Sequence, residues 1–193
     1  MTLLDRIIRY LDLNSTPNGK VFYVDGDATR PIGVGRKLII HCCNDQGGWG
    51  RGFVLALSKL DLNPESLYLA WSKINRYWKL SPVQYATGKA KLGEVAFTAF
   101  HQPTLFVANM IGQHKAVIED TGLDEDGNVP IRYDAIRKCL KKVRRYCRKH
   151  NMSIHAPRFG SDLAGGDWNV IEKIIEDELT TRGISVTVYD WKG

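Results

Sequence analysis

No apolar run in this 193-residue chain approaches the ~20 residues that a membrane span requires, so a membrane-spanning protein is not expected. The first thirteen residues carry Asp5, Arg6, Arg9 and Asp12 among their apolar positions, which is not the pattern of a secretory signal. Cysteine is scarce, and Cys42, Cys43, Cys139 and Cys147 have no zinc-ligand spacing. The adjacent pair falls on a predicted strand, where its side chains point to opposite faces. All four read as free thiols of an intracellular, cytoplasmic protein, and neither a metal nor a cofactor is implied. Gly-x-Gly-x-x-Gly is absent, as is the lysine-bearing P-loop, so neither a dinucleotide fold nor an NTPase is indicated. No internal repeat or linker divides the chain, and its 7 prolines and 18 glycines are too few for a disordered one.

What is present suits one domain with a substantial core, since 44% of the residues are hydrophobic. Leu3, Leu4, Ile7, Ile8 and Leu11 have helical spacing, so residues 3–12 read as an amphipathic helix, ended by the breaker cluster Asn14 to Gly19. Val21 to Val24 and Leu38 to Cys43 read as strands, and Phe53 to Leu60 as a helix. A second helix is predicted over Glu65 to Lys79, from Leu67, Tyr68, Trp71, Ile74 and Trp78. Leu92 to Phe100 and Leu105 to Met110 read as strands, 112–129 as a long polar loop, and Ile131 to Lys149 as a basic helix. Ile154 to Pro157 (strand), Trp168 to Leu179 (helix) and Val186 to Tyr189 (strand) complete the chain. This alternation predicts an α/β domain in three layers, α/β/α, with a mixed, largely parallel central sheet over residues 20–193 and a helical extension at 1–19.

Two loops stand out. After the Leu38 strand, Gly47, Gly48, Gly50 and Gly52 fall within six residues and lead into a helix. That density of glycine costs ordering entropy unless the backbone turns tightly or approaches a ligand closely. A glycine loop opening a helix directs backbone N–H groups and the positive end of the dipole at one spot, which suits phosphate. Residues 157–168, Pro-Arg-Phe-Gly-Ser-Asp-Leu-Ala-Gly-Gly-Asp-Trp, repeat this grammar after a later strand. In an α/β sheet such loops gather at the carboxyl ends of the strands, where two of them can clamp a pyrophosphate.

The Gly26-Asp27 pair, the His41 to Gly52 segment with its Asn-x-x-Gly-x-Trp-Gly-x-Gly pattern from Asn44, and the 157–168 loop together resemble the macro domain. The similarity covers residues 20–191 and points to the subgroup of ADP-ribose-1''-phosphate phosphatases and ADP-ribosyl-glutamate hydrolases. It implies a site for ADP-ribose, alone or carried on a macromolecule, with no cofactor. In this resemblance Gly26, Asp27 and Ala28 meet the adenine, Asp27 accepting from its amino group. Asn44 reaches the distal ribose, while Gly47, Gly48, Trp49, Gly50, Gly52 and Phe53 wrap that ribose and its phosphates. Gly160, Ser161, Asp162, Leu163, Ala164 and Gly165 hold the pyrophosphate, and Tyr189 or Trp191 borders the adenine.

Removal of the terminal phosphate of ADP-ribose 1''-phosphate is the expected reaction, with His41 and Asp162 as candidate proton acceptors and Asn44 as the orienting group. For His41 a structural role and a catalytic one stand equally open. Asp27 could instead cap a turn, and Trp49 is more easily read as packing than as a stacking surface. Asp167 reads as a helix cap. Met110, Ile111 and Ala164 stand where the glutamate-linkage hydrolases carry a lysine and an aspartate, so their covalent route is not expected. Three rivals remain: release of ADP-ribose from protein or nucleic acid, a non-catalytic reader, and a nucleic-acid-binding module. The last rests on the net charge of +6 and the eight basic residues between Arg137 and Lys149, and is not favoured, because that helix reads as a solvated face with no interleaved aromatic platform for single strands.

Overall fold

The computed structural model describes residues 18–118, 121–161 and 163–192. The predicted helix at 3–12, nearly all of the 1–19 extension, and Asp162 lie outside them. One eight-stranded sheet runs through the domain in the order β1-β8-β7-β2-β6-β5-β4-β3. Its strands are β1 (Val21–Asp25), β2 (Arg36–Asn44), β3 (Lys79–Ser81), β4 (Gln84–Ala86), β5 (Val95–Ala99), β6 (Leu105–Gln113), β7 (Met152–Pro157) and β8 (Val186–Asp190). Strands β1, β8, β7, β2 and β6 are mutually parallel, and β5, β4 and β3 add an antiparallel wing. The sheet is therefore mixed and largely parallel, as the alternation of elements requires.

Among the described residues, four α-helices cover its faces: α1 (Phe53–Leu60), α2 (Asn63–Ile74), α3 (Tyr133–His150) and α4 (Trp168–Glu178). Strand β2 shows why its sequence is apolar almost throughout. Leu38 and Ile40 enter the large cluster beneath α3 and α4, while Ile39 and Cys43 enter the clusters beneath α1 and α2. A strand buried on both faces reads as a continuous hydrophobic run. Leu38, Ile39 and Ile40 are all fully buried, and each such side chain contributes about 1.5–3 kcal/mol.

Several boundaries differ from the sequence expectation. Helix α2 ends at Ile74, not Lys79, because Asn75 turns left-handed at φ 48 and its side chain accepts the N–H of Ala90 at 3.1 Å. Trp78 continues the helical spacing but belongs to the sheet wing, where its carbonyl accepts the Ala86 N–H and its side chain packs against the cluster that contains Ala86 and Ala96. The strand predicted from Leu92 begins at Val95, and β6 runs on to Gln113 into the expected loop. Helix α3 starts at Tyr133, two residues later than predicted, after Ile131 makes a bridge to Gln113.

The chain leaves β2 toward β6 on one side of the sheet, whereas β7 and β8 lie on the other. The carboxyl ends of β2 and β7 thus flank a topological switch point, the place where α/β sheets open a ligand crevice.

Candidate functional site

The loop after β2 is built around Asn44. Its Oδ1 accepts the N–H groups of Gln46 (3.0 Å) and Gly48 (2.9 Å), and its Nδ2 donates to the Gly48 carbonyl at 3.0 Å. Tyr68 fixes the same residue by donating its hydroxyl to the Asn44 carbonyl at 2.6 Å. A Cβ at Gly48 would sit 2.7 Å from Asn44 Nδ2, so only glycine fits there. Asn44 therefore spends its side chain on shaping the loop. Trp49 turns inward, where its Nε1 donates to Ser58 Oγ at 2.8 Å and its ring meets those of His41 and Tyr68. With Trp49 anchored below, the position of a Cβ on Gly50 is open space. Gly52 (φ 71) then starts α1, and no side chain caps the N–H groups of its first turn. Phe53 follows, its ring tilted against His41.

The loop after β7 closes on itself through the Gly166 N–H, which donates to the Gly160 carbonyl at 3.0 Å. Gly160 (φ 79) lies against Ile131 and Ile171. Ser161 Oγ donates to the Arg158 carbonyl, Ala164 is buried, and Leu163 is exposed and reaches Gly52. The two glycine loops thus touch. Helix α4, unlike α1, is capped: Asp167 accepts the Asn169 N–H at 2.8 Å. The capping role expected for Asp167 is what the structure shows, and the uncapped amides lie on the β2 side of the crevice.

A third segment completes the rim. The Gly26 N–H donates to the Asp190 carbonyl at 3.1 Å, which folds residues 26–29 over the end of β8. Asp27 Oδ1 accepts the Thr29 N–H at 2.8 Å, so one carboxylate oxygen holds the turn. Ala28 is buried. Tyr189 lies beneath, its ring against the Cβ position of Gly26 and its hydroxyl accepting from the Ile32 N–H at 2.9 Å. His155 Nδ1 is 3.0 Å from the same hydroxyl. Trp191 is 71% exposed.

His41 is placed in the core. It is 2% exposed, its Nε2 lies 2.6 Å from Asn109 Oδ1, and Asn109 in turn donates to the Pro64 carbonyl. Burial lowers its pKa to about 4, against the opposing effect of the hydrogen bond that its Nε2 donates to Asn109 Oδ1, so it is neutral at pH 7. Buried under Trp49 and Phe53, it supports the loop and is poorly placed to take a proton from water at the loop surface.

Sequence reasoning missed the strap between the glycine loops. Asp45 accepts from the Lys115 N–H at 2.9 Å and pairs with His114 at 2.7 Å, while Gln46 Oε1 accepts the Ala116 N–H at 3.1 Å. Farther along the same segment, the Gly122 carbonyl lies 2.9 Å from where a Cβ on Gly165 would be. The polar pair Asp45-Gln46 was the available signal, and its partners are too distant in sequence to be read. The basic helix is also partly neutralised: Arg137, Lys141 and Arg144 converge on Glu178, and Lys142 pairs with Glu94 at 2.7 Å. Among the described residues no cluster of His, Cys, Asp and Glu could hold a metal, and no helix is long and apolar enough to cross a membrane.

No protein-family model matches the chain. The chain is 29% identical over 190 residues to the chromodomain-helicase-DNA-binding protein 1-like of Mus musculus, covering 94% of itself but only 19% of that protein's length. It is 47% identical to a Bacteroides thetaiotaomicron protein of unknown function (TM-score 0.78, 89% of this chain and 98% of that one). The fold also matches the Oceanobacillus iheyensis macrodomain with ADP at TM-score 0.61 and 14% identity, over 93% of this chain and 87% of that one. A macrodomain protein from Streptomyces coelicolor is 42% identical, at TM-score 0.70 over 89% of this chain and 99% of the other. With that identity across the whole of a macrodomain, the chain belongs to the macrodomain family.

Proposed function

We propose that this domain binds ADP-ribose across the crevice rimmed by residues 26–28, 44–53 and 160–166. The observation that carries this reading is the first glycine loop: Asn44 and Trp49 hold it from inside, Gly50 faces open space, and the α1 amides beyond it have no side-chain cap. Such amides at a helix N-terminus suit the diphosphate. The carboxylate of Asp27, whose second oxygen has no partner among the described residues, suits the adenine amino group. The presence of ADP on the distant Oceanobacillus fold agrees with this assignment.

Within that reading, the reaction we assign is hydrolysis of ADP-ribose 1''-phosphate. Water attacks phosphorus, the bond to the 1'' oxygen breaks, and the departing sugar oxygen takes a proton. With His41 neutral and buried, the proton acceptor is Asp162 or the substrate's own phosphate, and the rate rests on positioning and backbone hydrogen bonds. The burial of His41 equally favours a second reading, a reader that binds without turnover.

Calorimetry with ADP-ribose and ribose 5-phosphate tests the binding. Wild type should bind ADP-ribose in the micromolar range, about −7 to −9 kcal/mol. Asp27→Asn keeps an acceptor for the Thr29 N–H but offers the adenine amino group a donor, so ADP-ribose affinity should fall about 10-fold, with ribose 5-phosphate unchanged. Gly50→Glu adds charge in open space, so it should abolish binding with an unaltered melt. Retention of ADP-ribose by Gly50→Glu would remove the loop from the site. Phosphate release from ADP-ribose 1''-phosphate, in the presence of chelator, then separates enzyme from reader.

A further inference from the structure

From Ser66 to Gly93 the chain contains no aspartate or glutamate, yet it carries Lys73, Arg76, Lys79, Lys89 and Lys91. The fold gathers these cations on one surface. Asn75 at the end of α2 binds the Ala90 N–H, Trp71 Nε1 donates to the Gly88 carbonyl at 2.9 Å, and the Ala86 N–H donates to the Trp78 carbonyl at 3.0 Å. The end of α2, the outermost strand β3 and the 88–92 turn are thereby fastened side by side. All five basic side chains are exposed, and none has an acidic partner among the described residues. Glu94, at the border, is committed to Lys142 and to the Thr87 hydroxyl. Lys138 extends the patch, since it lies against Gly93.

Large apolar groups stand among the charges: Ile74 is 52%, Tyr77 55% and Leu80 65% exposed. A surface that leaves an aromatic ring uncovered between exposed cations combines the two elements of single-strand recognition, charge along the backbone and a face on which bases stack. A duplex buries its base faces, so an exposed Tyr77 favours the single strand over it. The patch also flanks the first glycine loop, because Ser72 of α2 lies 3.0 Å from the Cβ position of Gly47.

The geometry points to a docking surface for single-stranded nucleic acid on the α2–β3 wing, built from Lys73, Arg76, Tyr77, Lys79, Lys89 and Lys91. It is separate from the ADP-ribose crevice and does not depend on it.

Fluorescence anisotropy with labelled single-stranded DNA and RNA 20-mers, and the matching duplex, tests this. Wild type should prefer the single strands, and affinity should fall about 20- to 100-fold between 50 and 200 mM salt if three to five phosphates are contacted. Lys89→Gln with Lys91→Gln should weaken binding at least 10-fold and lower the salt slope by about 1.4. Tyr77→Ala should weaken it about 5- to 100-fold with the slope unchanged. Arg145→Gln with Lys149→Gln on α3 should leave it as in wild type. All these side chains are exposed, so melting and ADP-ribose calorimetry should match wild type. No binding at 50 mM salt, or binding that the Lys89/Lys91 variant retains, overturns the proposal. Equal affinity for duplex with no effect of Tyr77→Ala, or equal competition by polyglutamate, overturns the single-strand assignment.

Discussion

His41 illustrates how one side chain can be read two ways until its surroundings are known. Strand alternation puts it on the α1 and α2 side of the sheet, with Ile39 and Cys43, but does not say what covers it. The cover comes from Trp49, drawn in from the glycine loop, and the partner is Asn109 on β6. This placement makes acid stability depend on the residue. The folded protein keeps His41 neutral down to about pH 4, whereas the unfolded chain takes up a proton near 6.5. The unfolded state therefore binds more protons in that window, and stability falls as pH drops from 6.5 toward 4, by about 3 kcal/mol from this group. His155, also lowered to about 4 by burial, acts in the same direction. Denaturant unfolding at pH 7 and pH 4.5 should show the loss, and His41→Gln should flatten the pH slope by up to one proton. An unchanged slope would place the titration elsewhere.

At the scale of elements, the second glycine loop is held by a contact that tolerates no side chain. A Cβ on Gly166 would lie 2.3 Å from the Gly160 carbonyl, whose hydrogen bond from the Gly166 N–H closes the turn. Gly166→Ala should open this turn at a cost of about 1–3 kcal/mol, lowering Tm by about 3–10 °C, with loss of ADP-ribose affinity. Gly50→Glu should lose affinity alone, so the pair separates a loop broken from a loop blocked. Both loops were legible in the sequence because each joins a buried strand to a helix through glycines. The β3–β4 wing was not: its strands are three residues long, and Trp78 falls in helical register with Trp71 and Ile74. The strap at Lys115 and Ala116 was equally hidden, since Asp45 and Gln46 reach across about 70 residues to hold their backbone amides. Asn109 did leave a trace, as a lone amide inside the apolar run of β6.

Across the whole molecule, the parallel half of the sheet supplies the crevice and the antiparallel wing supplies a charged flank beside it. The sandwich also buries three of its four thiols. Cys43, Cys139 and Cys147 are 4%, 0% and 2% exposed, and burial raises the pKa of every thiol, Cys42 to about 12. Thiolate is the reactive form, so an alkylating reagent can modify these residues only when the structure opens. Labelling is therefore a clock for opening, and Cys43, next to Asn44, keeps time for the first glycine loop, whereas Cys147 on α3 reports on the opposite layer. A ligand that binds only the closed form must slow a clock set by rapid opening and closing by the factor 1 + [L]/Kd, about 100-fold at 100 times Kd. Mass spectrometry of labelled protein with and without ADP-ribose should show this retardation at Cys43. Should ADP-ribose leave the Cys43 rate unchanged at saturation, the loop is not where it binds. The protein thus carries its own binding reporter, readable without any catalytic turnover.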